Sequence, residues 1–148
     1  MGITLRAIPA SAADVFAVLA DGWAYASWVV GTTHVRSVDS NWPAVGSRIH
    51  HKVGPWPLSI NDYTQVQDVE PEKFLALRAR GWPLGEARVN IRLNVVDDQV
   101  TEVSVEEVIS AGVGRHIPDP LIAPLFQVRN SEALRRLGDI AVHREKDS

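Results

Sequence analysis

The sequence predicts an α+β fold: a curved antiparallel sheet of seven strands wrapped around a long C-terminal helix. Three observations carry this expectation. An amphipathic helix and a shorter, aromatic-rich one occupy residues 11–28, directly after a first strand. From about Thr33 to residue 110 the apolar residues recur with a period of two, the signature of half-buried strands. A single apolar stripe at helical spacing then closes the chain. Few folds share that order of elements.

Each element follows from local chemistry. Ile3, Leu5 and Ala7 alternate with Thr4, Arg6 and Ile8, which suits a short strand that Pro9 ends. Ser11 is placed to cap a helix, with Asp14 three residues on, where a carboxylate favours the N-terminus. Val15, Val18 and Leu19 share one face beside Phe16. Gly22 fits a helix stop, and Trp23 to Trp28 a second short helix. Strands are expected near 33–39, 47–53, 58–69, 73–81, 85–96 and 100–110. Their breaks carry turn chemistry: Asn41-Trp42-Pro43, Gly54-Pro55-Trp56-Pro57, Glu70-Pro71-Glu72, Trp82-Pro83-Leu84-Gly85 and Asp97-Asp98. Short turns between consecutive strands imply an antiparallel meander. A final helix runs to about His143, with Asp119 as cap, Pro120 at its first position and a kink or a later start at Pro124. Glu145 to Ser148 is expected to fray.

At 148 residues, 45% hydrophobic and 22% charged, the chain is expected to form one domain with a sizeable core. A net charge of −3 makes no electrostatic case for nucleic acid or an anionic membrane. The absence of cysteine excludes disulfides, thiol nucleophiles and thiolate metal sites. No basic-then-apolar leader and no apolar run near the ~20 residues of a membrane helix is present, so a cytoplasmic location and no membrane insertion are expected. There is no Gly-rich phosphate loop and no Gly-x-Ser-x-Gly elbow. His50-His51 is a poor metal pair, because neighbours on a strand point to opposite faces. No metal and no cofactor are expected.

Alternation places Ala87, Val89, Ile91, Leu93 and Val95 inward on the sixth strand, and Leu75, Leu77 and Ala79 inward on the fifth. The inward set is Thr101, Val103, Val105, Glu107 and Ile109 on the seventh, Leu58, Ile60, Asp62, Thr64 and Val66 on the fourth, and Ile49, His51 and Val53 on the third. Three ionisable groups, His51, Asp62 and Glu107, therefore interrupt apolar rows. Asn130 interrupts the helix stripe of Phe126, Ala133, Leu134, Leu137, Ile140 and Ala141, while Arg129 lies mostly outside it. Buried charges must pair, bind water or line a cavity. A hairpin turning at 54–57 puts His51 near Ile60 and diagonal to Asp62, within side-chain reach. That makes His51 with Asp62 an acid–base candidate, and Glu107 a lone cavity acid or the partner of a tyrosine, an arginine or water.

This order of elements, with these residues, resembles the START-like helix-grip superfamily (SRPBCC), and within it small bacterial proteins of the polyketide cyclase/dehydrase branch. The resemblance rests on Val15-Phe16-Ala17-Val18-Leu19-Ala20-Asp21 leading to Tyr25 and Trp28, Val45-Gly46-Ser47, Val69-Glu70-Pro71, and Asn130-Ser131-Glu132-Ala133-Leu134-Arg135-Arg136-Leu137. It implies a hydrophobic cavity between sheet and last helix, closed at one end by the two short helices. Members bind lipids, sterols, polyketides or similar apolar molecules. Aromatase/cyclase members promote ring closure and dehydration, and the family has no universal catalytic motif to transfer.

Three functions remain open at this point. The first is binding of an apolar small molecule (a lipid, polyketide or aromatic metabolite). Its expected lining is Trp23, Tyr25 and Trp28 from the lid, Ile49, His51, Ile60, Asp62, Leu77, Val89, Ile91, Val105 and Glu107 from the sheet, and Phe126 and Asn130 from the last helix. The second is a cyclase/aromatase or dehydratase using His51, Asp62 and Glu107 for proton transfer, with Asn130 orienting a carbonyl. The third is a protein-interaction module with a filled core. Trp42, Trp56 and Trp82 each precede a proline and mark either a cavity rim or a contact patch for another subunit. The protein is expected to be a monomer or homodimer.

Overall fold

The structure is a computed structural model that describes residues 2–30, 32–53, 60–81 and 85–147. Strand β1 (Gly2–Ile8) leads to helix α1 (Ala12–Leu19), a 3₁₀ turn over Gly22–Ala24 and helix α2 (Tyr25–Trp28). The meander follows as β2 (Thr32–Val38), β3 (Arg48–Val53), β4 (Ile60–Glu70), β5 (Phe74–Gly81), β6 (Gly85–Asp97) and β7 (Val100–Ala111). A second 3₁₀ turn, Val113–His116, precedes helix α3 (Asp119–Asp147). All seven strands form one antiparallel sheet in the order β1-β7-β6-β5-β4-β3-β2. The expected α+β grip of a curved sheet on a C-terminal helix is therefore present. Trp56, Leu58 and Trp82 lie outside the described residues, and for Val53 and Ile60 the backbone alone is described.

The chain enters α1 as its sequence indicates. Ser11 is extended and its hydroxyl accepts from the Asp14 amide at 3.2 Å. That bond satisfies one of the four amides a helix start leaves without partners. Ser11→Ala is expected to cost about 1 kcal/mol in chemical denaturation, and Ser11→Asp to restore most of it. Gly22 plays a different part from a helix stop. Helix α1 already ends at Leu19, with Ala20 as its C-cap, and a Cβ on Gly22 would stand 2.6 Å from Val38 Cγ1, so glycine permits β2 to approach. Trp42 closes this corner by donating its indole N–H to the Leu19 carbonyl at 3.2 Å. It is thus tied to α1.

Helix α3 packs on β1, α1 and α2. It differs from expectation at both ends. The Pro118 carbonyl accepts from Leu121 and Ile122, so the helix begins one residue before the Asp119-Pro120 cap pattern, and it runs through Pro124 without a new start. It also continues past His143 to Asp147. Its predicted stripe is correct: Phe126, Asn130, Ala133, Leu134, Leu137 and Ala141 are buried, and Ile140 half-buried.

The core lies between that stripe and the concave face of the sheet. Ile49, Val66, Leu75, Leu77, Ile91, Leu93, Val103 and Val105 face it, with Ile8, Val15 and Leu19 from the N-terminal segment. Two alternations depart from the simple reading. On β1, Ile3 and Leu5 face outward at 55% and 58% exposure, while Thr4 and Ile8 are buried, because the strand pairs with β7 so that Thr4 stands beside inward Val105. On β6, Val95 is 64% exposed although it pairs with buried Thr101, near the strand's end and next to a bulge between Val95 and Asp97. Among the described residues no helix is long and apolar enough to cross a membrane.

Candidate functional site

Two polar clusters interrupt the apolar interior. The first joins α2 to β3 and β4. His51 and Thr64 are each 1% exposed, and their side chains meet at 2.8 Å between Nε2 and Oγ1. The Tyr25 hydroxyl reaches the same Thr64 oxygen at 3.3 Å. The Tyr25 ring stacks on the His51 ring, with centroids 5.8 Å apart, and meets Trp28 edge-on at 5.6 Å. Such ring geometry adds modest stability and fixes orientation.

The electrostatics follow from burial. Desolvation lowers the His51 pKa to about 4, although the nearby Asp62 charge pulls the other way. His51 is therefore neutral near pH 7. Desolvation likewise raises the Tyr25 pKa, against the hydrogen bond with Thr64, so the phenol keeps its proton. Two buried nitrogens of this cluster, His51 Nδ1 and Trp28 Nε1, have no hydrogen-bond partner among the described residues. Unpartnered buried donors are rare in folded proteins and call for an explanation.

The second cluster joins β7 to α3. Glu107 is 3% exposed and forms a bidentate pair with Arg129 through the same guanidinium nitrogen. Asn130 donates to Glu107 Oε1 at 3.1 Å. The Arg129 guanidinium also lies 5.1 Å from the Phe126 ring centroid. Register puts Glu107 directly beside Val89, and Ile91 beside Val105, so the carboxylate sits in an apolar row. The charges of both Glu107 and Arg129 act on the Tyr25 phenol, which places the two clusters within electrostatic reach of each other.

Most residues singled out from the sequence lie in the interior. Tyr25, Trp28, Ile49, His51, Leu77, Ile91, Val105, Glu107, Phe126 and Asn130 are buried, and Val89 half-buried. Two are not brought in. Trp23 is 61% exposed and belongs to the surface. Asp62 stands directly opposite His51, not diagonal to it, yet makes no hydrogen bond with it. Its carboxylate accepts from the Tyr63 amide at 2.9 Å and pairs with Arg80 at 3.3 Å, and Thr64 takes its place on the imidazole. The direct His51–Asp62 bond is thus corrected to an electrostatic influence. Two participants were missed. Thr64 carried the available signal, an inward polar residue on β4. Arg129 carried none beyond its place beside Asn130, since only its length lets it reach back from the edge of the stripe. As expected, His50 points the other way, to Asp39 at 3.3 Å. Among the described residues no three His, Asp or Glu side chains gather as metal ligands do.

Comparison with known proteins agrees with this architecture. Several solved structures share the fold at low identity. A protein of Nitrosomonas europaea superposes with a TM-score of 0.73 at 14% identity, over 99% of this chain and 96% of that one. A protein of Rhodobacter sphaeroides gives 0.70 at 20% identity, over 94% and 90%. The Zhui aromatase/cyclase of Streptomyces sp. R1128 gives 0.63 at 16% identity, over 97% and 92%. No curated protein matches by sequence. The model of the family described as "Polyketide cyclase / dehydrase and lipid transport" matches residues 4–141, nearly the whole chain, and the protein belongs to that family.

Proposed function

We propose that the protein binds an apolar small molecule bearing an acceptor oxygen, held between the concave sheet face and α3. The observation that carries this reading is the pair of buried nitrogens, Trp28 Nε1 and His51 Nδ1, unmet among the described residues and set in a largely apolar interior. In this reading Tyr25 donates to Thr64, and Thr64 passes its one proton to His51 Nε2 across the two contacts the Thr64 oxygen makes. This relay makes neutral His51 the Nδ1–H tautomer. Both unmet groups are then donors, and a carbonyl or ether oxygen on a flat apolar ligand satisfies them. The family match supports a hydrophobic ligand of this kind.

Native mass spectrometry of freshly purified protein tests the proposal. The expected result is a co-purified small molecule, or saturable uptake of aromatic ketones, that Trp28→Phe weakens about tenfold. Absence of any saturable uptake would contradict it.

A second reading, a cyclase- or dehydratase-type enzyme, is favoured by the same relay. Neutral His51 would polarise a ligand carbonyl by donating from Nδ1, with Tyr25 and Thr64 holding its tautomer. Glu107, paired with Arg129 and Asn130, would orient the ligand in place of accepting a proton. Turnover lost in His51→Gln but kept in Asp62→Asn would separate this reading from the His51–Asp62 pair that spacing alone indicates.

A further inference from the structure

The outer face of the sheet carries a feature that the interior site does not use. Register aligns Arg48 with Gln65, Gln65 with Arg78, and Arg78 with Arg88, so one cross-strand row over β3 to β6 reads Arg-Gln-Arg-Arg. Among the described residues no carboxylate pairs with any of these three arginines. Like charges directly opposite on neighbouring strands repel, and Arg78 faces Arg88 in just that way. Arg78 Nε is also buried without a hydrogen-bond partner.

Tyr63 lies beneath Arg48 and Arg78. The Arg48 guanidinium lies 4.3 Å from its ring centroid and that of Arg78 6.0 Å, with Arg78 donating to the phenol oxygen at 3.1 Å. These contacts draw the guanidiniums together although strands two apart are separated by about 10 Å. Arg80 also lies over the ring, at 5.2 Å, but Asp62 and Glu86 neutralise it at 3.3 and 3.6 Å. The surplus positive charge therefore resides on Arg48, Arg78 and Arg88. Guanidinium forks match phosphate oxygens bidentately.

We propose that Arg48 and Arg78, gathered over Tyr63, and Arg88, directly opposite Arg78 on β6, form a binding site for a phosphate group on the outer face of the sheet. The anion relieves the Arg78–Arg88 repulsion. The phosphate belongs either to a free phosphate ester or to a lipid headgroup. This site is independent of the interior reading and stands or falls without it.

Isothermal titration with inorganic pyrophosphate, and co-sedimentation with phosphatidylglycerol vesicles, test the two sources. The expected result is saturable binding of one of them, weakened about tenfold or more by Arg78→Gln and by Arg48→Gln. Arg88 is exposed and has no ion-pair partner among the described residues, so Arg88→Gln leaves folding intact and is expected to weaken binding as well. Pyrophosphate binding identifies a free phosphate ester, and vesicle binding alone identifies a headgroup. Failure of both probes to bind, or binding unchanged in Arg88→Gln and Arg48→Gln, would overturn the proposal.

Discussion

Replacing Arg129 by methionine is expected to destabilise the protein by about 3 kcal/mol, among the largest effects of any single substitution. The cause is the asymmetry of the Glu107–Arg129 pair. Glu107 is almost fully buried, whereas the Arg129 side chain keeps 35% of its exposure. Removing the arginine strands a carboxylate in an apolar row with only the Asn130 amide to satisfy it. Breaking a buried pair from one side costs about 3–5 kcal/mol, and partial exposure of Arg129 puts this case at the lower end. Glu107→Gln is expected to cost less, about 1 kcal/mol, because Arg129 can turn to water and the amide still accepts from Asn130. A double replacement, Glu107→Leu with Arg129→Met, should recover most of the loss. Urea denaturation of the three variants measures all of these, and equal losses for the two single variants would contradict the asymmetry.

The second large effect is a dependence of stability on pH through His51. Its folded-state pKa is depressed to about 4 by burial, against 6.5 for the free side chain. A base with a depressed folded pKa binds protons more readily in the unfolded chain. Its contribution is therefore fully present above pH 6.5 and is lost as pH falls toward 4. The full loss is roughly 3 kcal/mol, about 1.4 kcal/mol for each unit of displacement. Carboxylates titrate in the lower part of that range, so the informative quantity is a difference. The stability of wild type minus that of His51→Gln should fall by this amount between pH 7 and 4. A difference that stays flat would show that His51 is not held neutral.

Much of the architecture is legible because half-buried strands betray their faces. The row Thr101, Val103, Val105, Glu107 on β7 is read correctly from alternation alone, down to the buried carboxylate. The helix stripe with Asn130 is equally legible. What fails is whatever register or length decides. His51 bonds Thr64, not Asp62, because the pairing sets His51 squarely opposite Asp62 while Arg80 and the Tyr63 amide hold that carboxylate. Arg129 escapes because its alternatives are spread over the whole sheet, and only folding selects Glu107. Net charge misleads in a similar way. A total of −3 conceals a row of arginines, since Asp97 and Asp98 sit at the β6–β7 turn, and Glu106, although diagonal to Arg88 across β6 and β7, makes no ion pair with it among the described residues. On β1, apolar Ile3 and Leu5 mark the outer face, so the strand was legible and its orientation was not.

The most direct test of the central claim is the indole N–H of Trp28. In a ¹H–¹⁵N spectrum the protein shows indole signals from its five tryptophans, assignable by Trp28→Phe and Trp23→Phe. The aromatic ketone 1-tetralone serves as probe. The account predicts a saturable downfield shift of the Trp28 indole proton as it gains an acceptor, with Trp23 unmoved at the surface. Saturation that moves Trp23 and leaves Trp28 unchanged would contradict an interior site and place binding on the outside of the molecule.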